Sequence, residues 1–92
     1  MSGKQIITLD VAGTELNFEP NLTAYNQLIN SSAREKNAVG MVNEYLVKIV
    51  TPDSREALKE LLKRPGVGMQ ISQVVNDEYA PALDIEVKKS SE

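Results

Sequence analysis

Residues 5–19 read Gln-Ile-Ile-Thr-Leu-Asp-Val-Ala-Gly-Thr-Glu-Leu-Asn-Phe-Glu, and their apolar positions alternate. Ile7, Leu9 and Val11 share one face, as do Leu16 and Phe18 beyond Gly13. A period of two belongs to a strand with one buried side. Folding the stretch at Ala12-Gly13 sets Leu9 against Leu16 and Ile7 against Phe18, so apolar pairs line one side of a hairpin. The same register puts Asp10 opposite Glu15, a like-charge pair that only a solvated face tolerates. A two-residue type I′ turn would need Ala12 at positive φ, so a wider loop is expected. A lone hairpin is marginal in water and needs helices over its apolar side.

The rest of the chain supplies them. Pro20-Asn21 ends the strand, and Asn21 or Thr23 is placed to cap a helix over 22–30 with Leu22, Tyr25, Leu28 and Ile29 on one side. Residues 31–37 are polar and read as a loop. Over 39–50 the apolar content rises. Met41, Val42, Tyr45, Leu46 and Ile49 fill one broad arc, with Val50 at its edge and Val47 outside it. So wide an arc implies a helix enclosed on more than one side, or one whose extra face meets a partner.

Thr51-Pro52-Asp53-Ser54 stops that helix and starts another, with Thr51 or Asp53 as cap. Ala57, Leu58, Leu61 and Leu62 make a narrow stripe opposite Arg55, Glu56, Lys59, Glu60, Lys63 and Arg64. Pro65-Gly66 is a hinge. The helix beyond it carries Val67, Ile71, Val74, Val75 and Glu78 on one side and Met69 on the other, and Pro81 ends it. Leu83, Ile85 and Val87 then alternate with Asp84, Glu86 and Lys88, a strand pattern that would make the hairpin a three-stranded sheet. The expected fold is α+β: an N-terminal β-hairpin, extended by that C-terminal strand if it pairs, packed against about four short helices. One domain is expected over 1–92, with a disordered tail over 88–92.

Composition removes most chemistry. The 92 residues include no cysteine and no histidine, which takes away disulfides, thiolate or imidazole metal sites and the usual nucleophile–base pairs. No catalytic, cofactor-binding or metal-ligating set is expected. Asp77 and Glu78 are adjacent on a helix and point about 100° apart, so they do not converge. A net charge of −3 opposes nucleic-acid binding, and Glu56 and Glu60 dilute the basic stripe on their helix. The same mixed charge argues against a helix-turn-helix reader of DNA around Pro65-Gly66. No apolar run reaches the ~18 residues of a membrane span, and no apolar segment behind Lys4 suggests a signal peptide. What remains is protein binding. Met41 and Met69 suit adaptable interfaces, and Val47 and Val50 lie off the buried arc, so these four are the candidate partner contacts. A chain this short buries only about 60–65% of its surface, which makes self-association a natural further contact.

Several stretches together carry a family resemblance. They are Ile6-Ile7-Thr8-Leu9 through Gly13, Phe18-Glu19-Pro20, Tyr25-Asn26 with Ile29-Asn30, Leu58-Lys59 with Leu61-Leu62, Pro65-Gly66, and Glu78-Tyr79-Ala80-Pro81-Ala82-Leu83 with Ile85 and Val87. With these the chain resembles the tail assembly chaperones of tailed bacteriophages. The resemblance implies a non-enzymatic factor that works in the bacterial host cytoplasm and is absent from the mature virion. It also implies binding to the tape-measure protein and a part in recruiting the tail-tube protein. Members of such families also occur in a longer form made by ribosomal frameshifting, and Lys88-Lys89 is a dipeptide that an A-rich slippery run can encode. Two other readings stand beside it: a structural tail-completion or connector protein, and a small regulatory or anti-host binding protein.

Overall fold

The computed structural model describes residues 5–34, 36–81, 83 and 85–88. Strands β1 (Ile7–Val11) and β2 (Thr14–Phe18) form the antiparallel hairpin, followed by α1 (Leu22–Ser32), α2 (Ala38–Ile49), a 3₁₀ turn at Pro52–Ser54, α3 (Arg55–Leu61) and α4 (Val67–Tyr79). The fold is α+β, as expected. The hairpin register is also the expected one: Ile7 faces Phe18, Leu9 faces Leu16 and Asp10 faces Glu15. On the solvated face the Thr8 hydroxyl donates to Asn17 Oδ1 at 2.6 Å.

The turn differs from expectation. Pairing continues to Val11–Thr14, so only Ala12 and Gly13 remain, at φ 53° and 88°. This is a type I′ turn, with a non-glycine residue in its first left-handed position. That conformation costs an L-residue roughly 1–2 kcal/mol. The cost is offset locally, because the Gly13 N–H donates to the Asp10 carboxylate at 2.9 Å and the type I′ twist matches that of the strands.

Each helix begins where a side chain or turn can satisfy its free N–H groups. Asn21 caps α1 by accepting from the Ala24 N–H at 2.8 Å, and Asn37 caps α2 by accepting from the Gly40 N–H at 3.0 Å. Thr51 does not cap with its side chain; its hydroxyl bonds to the Asp53 carboxylate, and the Ser54 N–H donates to the Thr51 carbonyl. Gly66, at φ 76°, swings the chain from α3 into α4.

The buried side chains form one cluster. Leu16 and Phe18 enter it from β2, Leu46 and Ile49 from α2, Leu58 from α3, and Ile71 and Val75 from α4. Helix α2 sits at the centre, against α1, α3 and α4. Its packing on α4 is close: a Cβ added at Gly68 would collide with the Asn43 amide and press on Leu62. The Asn43 Oδ1 is buried there without a hydrogen-bond partner among the described residues. Tyr45 crosses the same interface and donates to Asn76 Oδ1 at 3.0 Å, while Tyr25 of α1 meets Tyr79 of α4 edge-on at 5.8 Å.

Two further expectations need correction. The buried face of α1 is Ala24 with Tyr25 and Leu28, whereas Leu22 and Ile29 face solvent at 63% and 49% exposure. The face of α1 that packs on α2 and α4 is rotated toward Ala24, Tyr25 and Leu28, which leaves Leu22 and Ile29 on its outer side. The C-terminal strand is not in the sheet, which has two strands among the described residues. Leu83, Ile85 and Val87 are 75–88% exposed and irregular. Alternation describes a strand only where an edge accepts it, and the chain beyond α4 does not turn back onto one. Of the tail expected over 88–92, residues 89–92 lie outside the described residues, and Lys88 is exposed.

Two outcomes follow from this packing. Ala12→Asn places a residue that tolerates the left-handed region in the turn, and urea unfolding should show a gain of about 0.5–1 kcal/mol; an unchanged midpoint would contradict the strain at Ala12. Burial pushes the Tyr45 phenol from 10.0 up to about 12, with Tyr79 and then Tyr25 adding to the rise. The unfolded chain therefore loses this proton before the folded chain does, and stability contributed by Tyr45 falls as pH rises from about 10 towards 12. Unfolding across that window should fall less steeply for Tyr45→Phe than for the parent; equal slopes would contradict the burial of the hydroxyl.

Candidate functional site

The two edges of the hairpin differ. In an antiparallel pair, alternate residues turn their N–H and C=O groups toward the partner strand. A two-residue turn closed by Val11–Thr14 turns those of Ile7, Leu9 and Val11 toward β2, and those of Thr8 and Asp10 away from it. On β2 the outward groups of Asn17, and of Glu19 just beyond the strand, are engaged by the chain that leaves α2. The Asn17 N–H donates to Ser54 Oγ at 3.0 Å, the Thr51 N–H donates to the Asn17 carbonyl at 2.9 Å, and the Glu19 N–H donates to the Ile49 carbonyl at 2.7 Å. On β1 the outward backbone groups of Thr8 and Asp10 have no backbone partner among the described residues. The sheet has one closed edge and one open edge.

Beside the open edge lies a groove of about 400 Å³, between β1 and the α3–α4 corner. Leu9 and Val11 form its strand side; Leu61, Val67, Ile71 and Val74 form its helix side. Arg64, Gln70 and Asp10 stand on the rim. A second hollow of about 340 Å³ shares Leu9 and Val74 and continues past Ile6 to Glu78. Together they run the length of β1. Their helix wall follows from the spacing Val67, Ile71, Val74 and Glu78, one stripe at 3.6-residue periodicity. A neighbouring stripe of α4, Gly68, Ile71, Ser72 and Val75, is spent on the core. Ile6 and Val74 remain 53% and 49% exposed, so this apolar surface is open to a partner.

The residues singled out from sequence lie elsewhere. Val50 is 4% exposed, bridged to Phe18 and part of the core, so it has no surface to offer a partner. Val47 is half-buried against the same core, and Met41 is half-buried between α1 and α2 beside Leu28. Met69 is exposed, on the side of α4 turned away from the groove. None of the four lines the groove. The wide apolar arc of α2 packs against three helices, α1, α3 and α4. Leu9, Val11 and Val74 went unnoticed as site residues because a hairpin's apolar face is expected to be covered. The signal was present in the strand pairing. Val11 is a third apolar position on β1 whose cross-strand partner is the polar Thr14.

Among the described residues no three His, Cys, Asp or Glu side chains gather to hold a metal, and no helix is long and apolar enough to cross a membrane. The arrangement can hold apolar side chains, and the adjoining strand edge can exchange backbone hydrogen bonds with an extended segment.

Comparison with known proteins agrees with a binding role. The family model described as phage tail assembly chaperone matches residues 7–89. A relative from Haemophilus phage HP1 (strain HP1c1), described as an uncharacterized 11.3 kDa protein in the lys 3′ region, is 34% identical over 85 residues. That match covers 92% of this chain and 82% of the relative. No solved structure matches the chain.

Proposed function

Since this chain belongs to the phage tail assembly chaperone family, we propose that it holds an apolar segment of the tape-measure protein in the groove beside β1 while the tail is built. The observation that carries this reading is the open apolar wall of Leu9, Val11, Val67 and Val74 on a chain with no reactive cluster among its described residues. The proposed role is non-enzymatic, in the cytoplasm of the bacterial host. The chaperone leaves before the virion is complete, and the tail-tube protein is a second partner. Met69 offers a separate contact on the far side of α4, which a tube subunit or a second tape-measure segment would use.

Magnitudes suit such a role. Each apolar side chain seated in the groove contributes about 1.5–3 kcal/mol before ordering costs. Three or four of them supply about 5–12 kcal/mol before those costs, so backbone pairing along the β1 edge must add to them to reach the roughly −8 kcal/mol of a micromolar complex. That affinity is strong enough to shield an aggregation-prone segment and weak enough to release it. The net charge of −3 helps keep the loaded complex soluble.

Calorimetry of the full chain with overlapping segments of the tape-measure protein tests the proposal. At least one segment should bind with micromolar affinity. Val74→Asp, at a half-exposed position where the fold tolerates a charge, should weaken that binding at least about tenfold, and Met69→Asp should change it less. Absence of binding by every segment would overturn the partner. Undiminished binding by Val74→Asp would overturn the groove.

A further inference from the structure

Among the described residues, the outer edge of β1 has no strand partner, and an alternating segment near the C-terminus lies outside the sheet. Thr8 and Asp10 direct backbone donors and acceptors outward, with an apolar groove directly below them. At the other end of the chain, Leu83, Ile85 and Val87 repeat every second residue and stand 75–88% exposed. Apolar side chains at i, i+2 and i+4 all point to one face of an extended segment. Residues 85–88 span about 13 Å when extended, enough to run along four of the five residues of β1.

We propose that residues 85–88 of one copy add to the free edge of β1 in a second copy as a third strand. Ile85 and Val87 then enter the groove, and the exchange is reciprocal. A second copy is the occupant because a single copy leaves both halves of the contact unused: its groove is open and its own alternating segment lies off the sheet. Reciprocal addition satisfies both halves twice, through one self-complementary interface with closed two-fold symmetry. It also removes an exposed strand edge, which is an aggregation hazard if left bare. Charge favours one register. The outward face of the hairpin holds Asp10 opposite Glu15. In a parallel pairing, setting Lys88 beside Asp10 brings a cation to that pair and places Val87 beside Leu9 and Ile85 beside Ile7, whereas setting Glu86 there adds a third carboxylate.

The inference stands on the edge and the tail alone, so it is tested without any tape-measure protein. The tail and such a segment would compete for Val74. Sedimentation of the full chain from micromolar to millimolar concentration should show a monomer–dimer equilibrium. Ile85→Asp and Val87→Asp change side chains that are 81% and 88% exposed, so the circular dichroism of the fold should be unchanged. Each should raise the dimer dissociation constant at least about tenfold. Amide exchange at Thr8 and Asp10 should slow as the dimer forms and stay fast in Ile85→Asp. A monomer at every concentration, or a dimer that both variants leave intact, would overturn the proposal. So would protection of the Thr8 and Asp10 amides that does not vary with concentration, since the chain's own tail would then fill the edge.

Discussion

The backbone seam between β2 and the chain that leaves α2 is the contact on which the rest depends. Two backbone hydrogen bonds make it, Glu19 N–H to the Ile49 carbonyl and Thr51 N–H to the Asn17 carbonyl, and together they pair Phe18 with Val50. Ser54 adds its hydroxyl as acceptor for the Asn17 N–H. A two-stranded hairpin has little stability of its own. Anchored this way, it delivers Leu16 and Phe18, both fully buried, into the space among α2, α3 and α4. The seam also decides where the molecule is open. With β2 engaged, β1 is the free edge of the sheet among the described residues, and an apolar groove of about 400 Å³ lies beside it.

The hairpin and its register were legible because a period of two is local and self-checking: a slip of one residue would expose every apolar side chain. The helices were legible for a similar reason, since Asn21, Pro52, Gly66 and Pro81 punctuate the chain close to the observed ends. What sequence could not supply was which faces meet. Helix α2 looked over-wide for one neighbour, and the excess read as partner surface at Val47 and Val50. In the fold three helices surround it and Val50 continues into the bridge with Phe18, so the excess is core. Leu22 and Ile29 erred in the opposite direction, apolar by pattern and exposed in fact. Ala12 shows the limit of local preference: complete strand pairing overrode its aversion to positive φ.

The site was hidden for a physical reason. A groove is a property of what fails to cover a surface, and periodicity reports only what a surface is made of. Leu9 and Val11 belong to the same stripe as Ile7, yet Ile7 is 6% exposed and the other two are half-buried. The difference is set by the course of α4 across the strand. Family membership gives the opening its biological sense. A small chain that assists tail assembly needs apolar surface available before its partner arrives, in a fold stable enough to keep that surface from collapsing. The Tyr45–Asn76 and Tyr25–Tyr79 contacts serve that second need, since they hold α4 to α2 and α1 on the side away from the groove.

Amide chemical-shift mapping of the isotope-labelled protein, titrated with tape-measure segments, tests the groove as the working surface most directly. The expected shifts cluster on residues 6–11 of the hairpin and on residues 67–74 of α4, with Asn17 and Glu19 on the closed edge left unmoved. Shifts confined to α1, to α2 or to the surroundings of Met69 would contradict it.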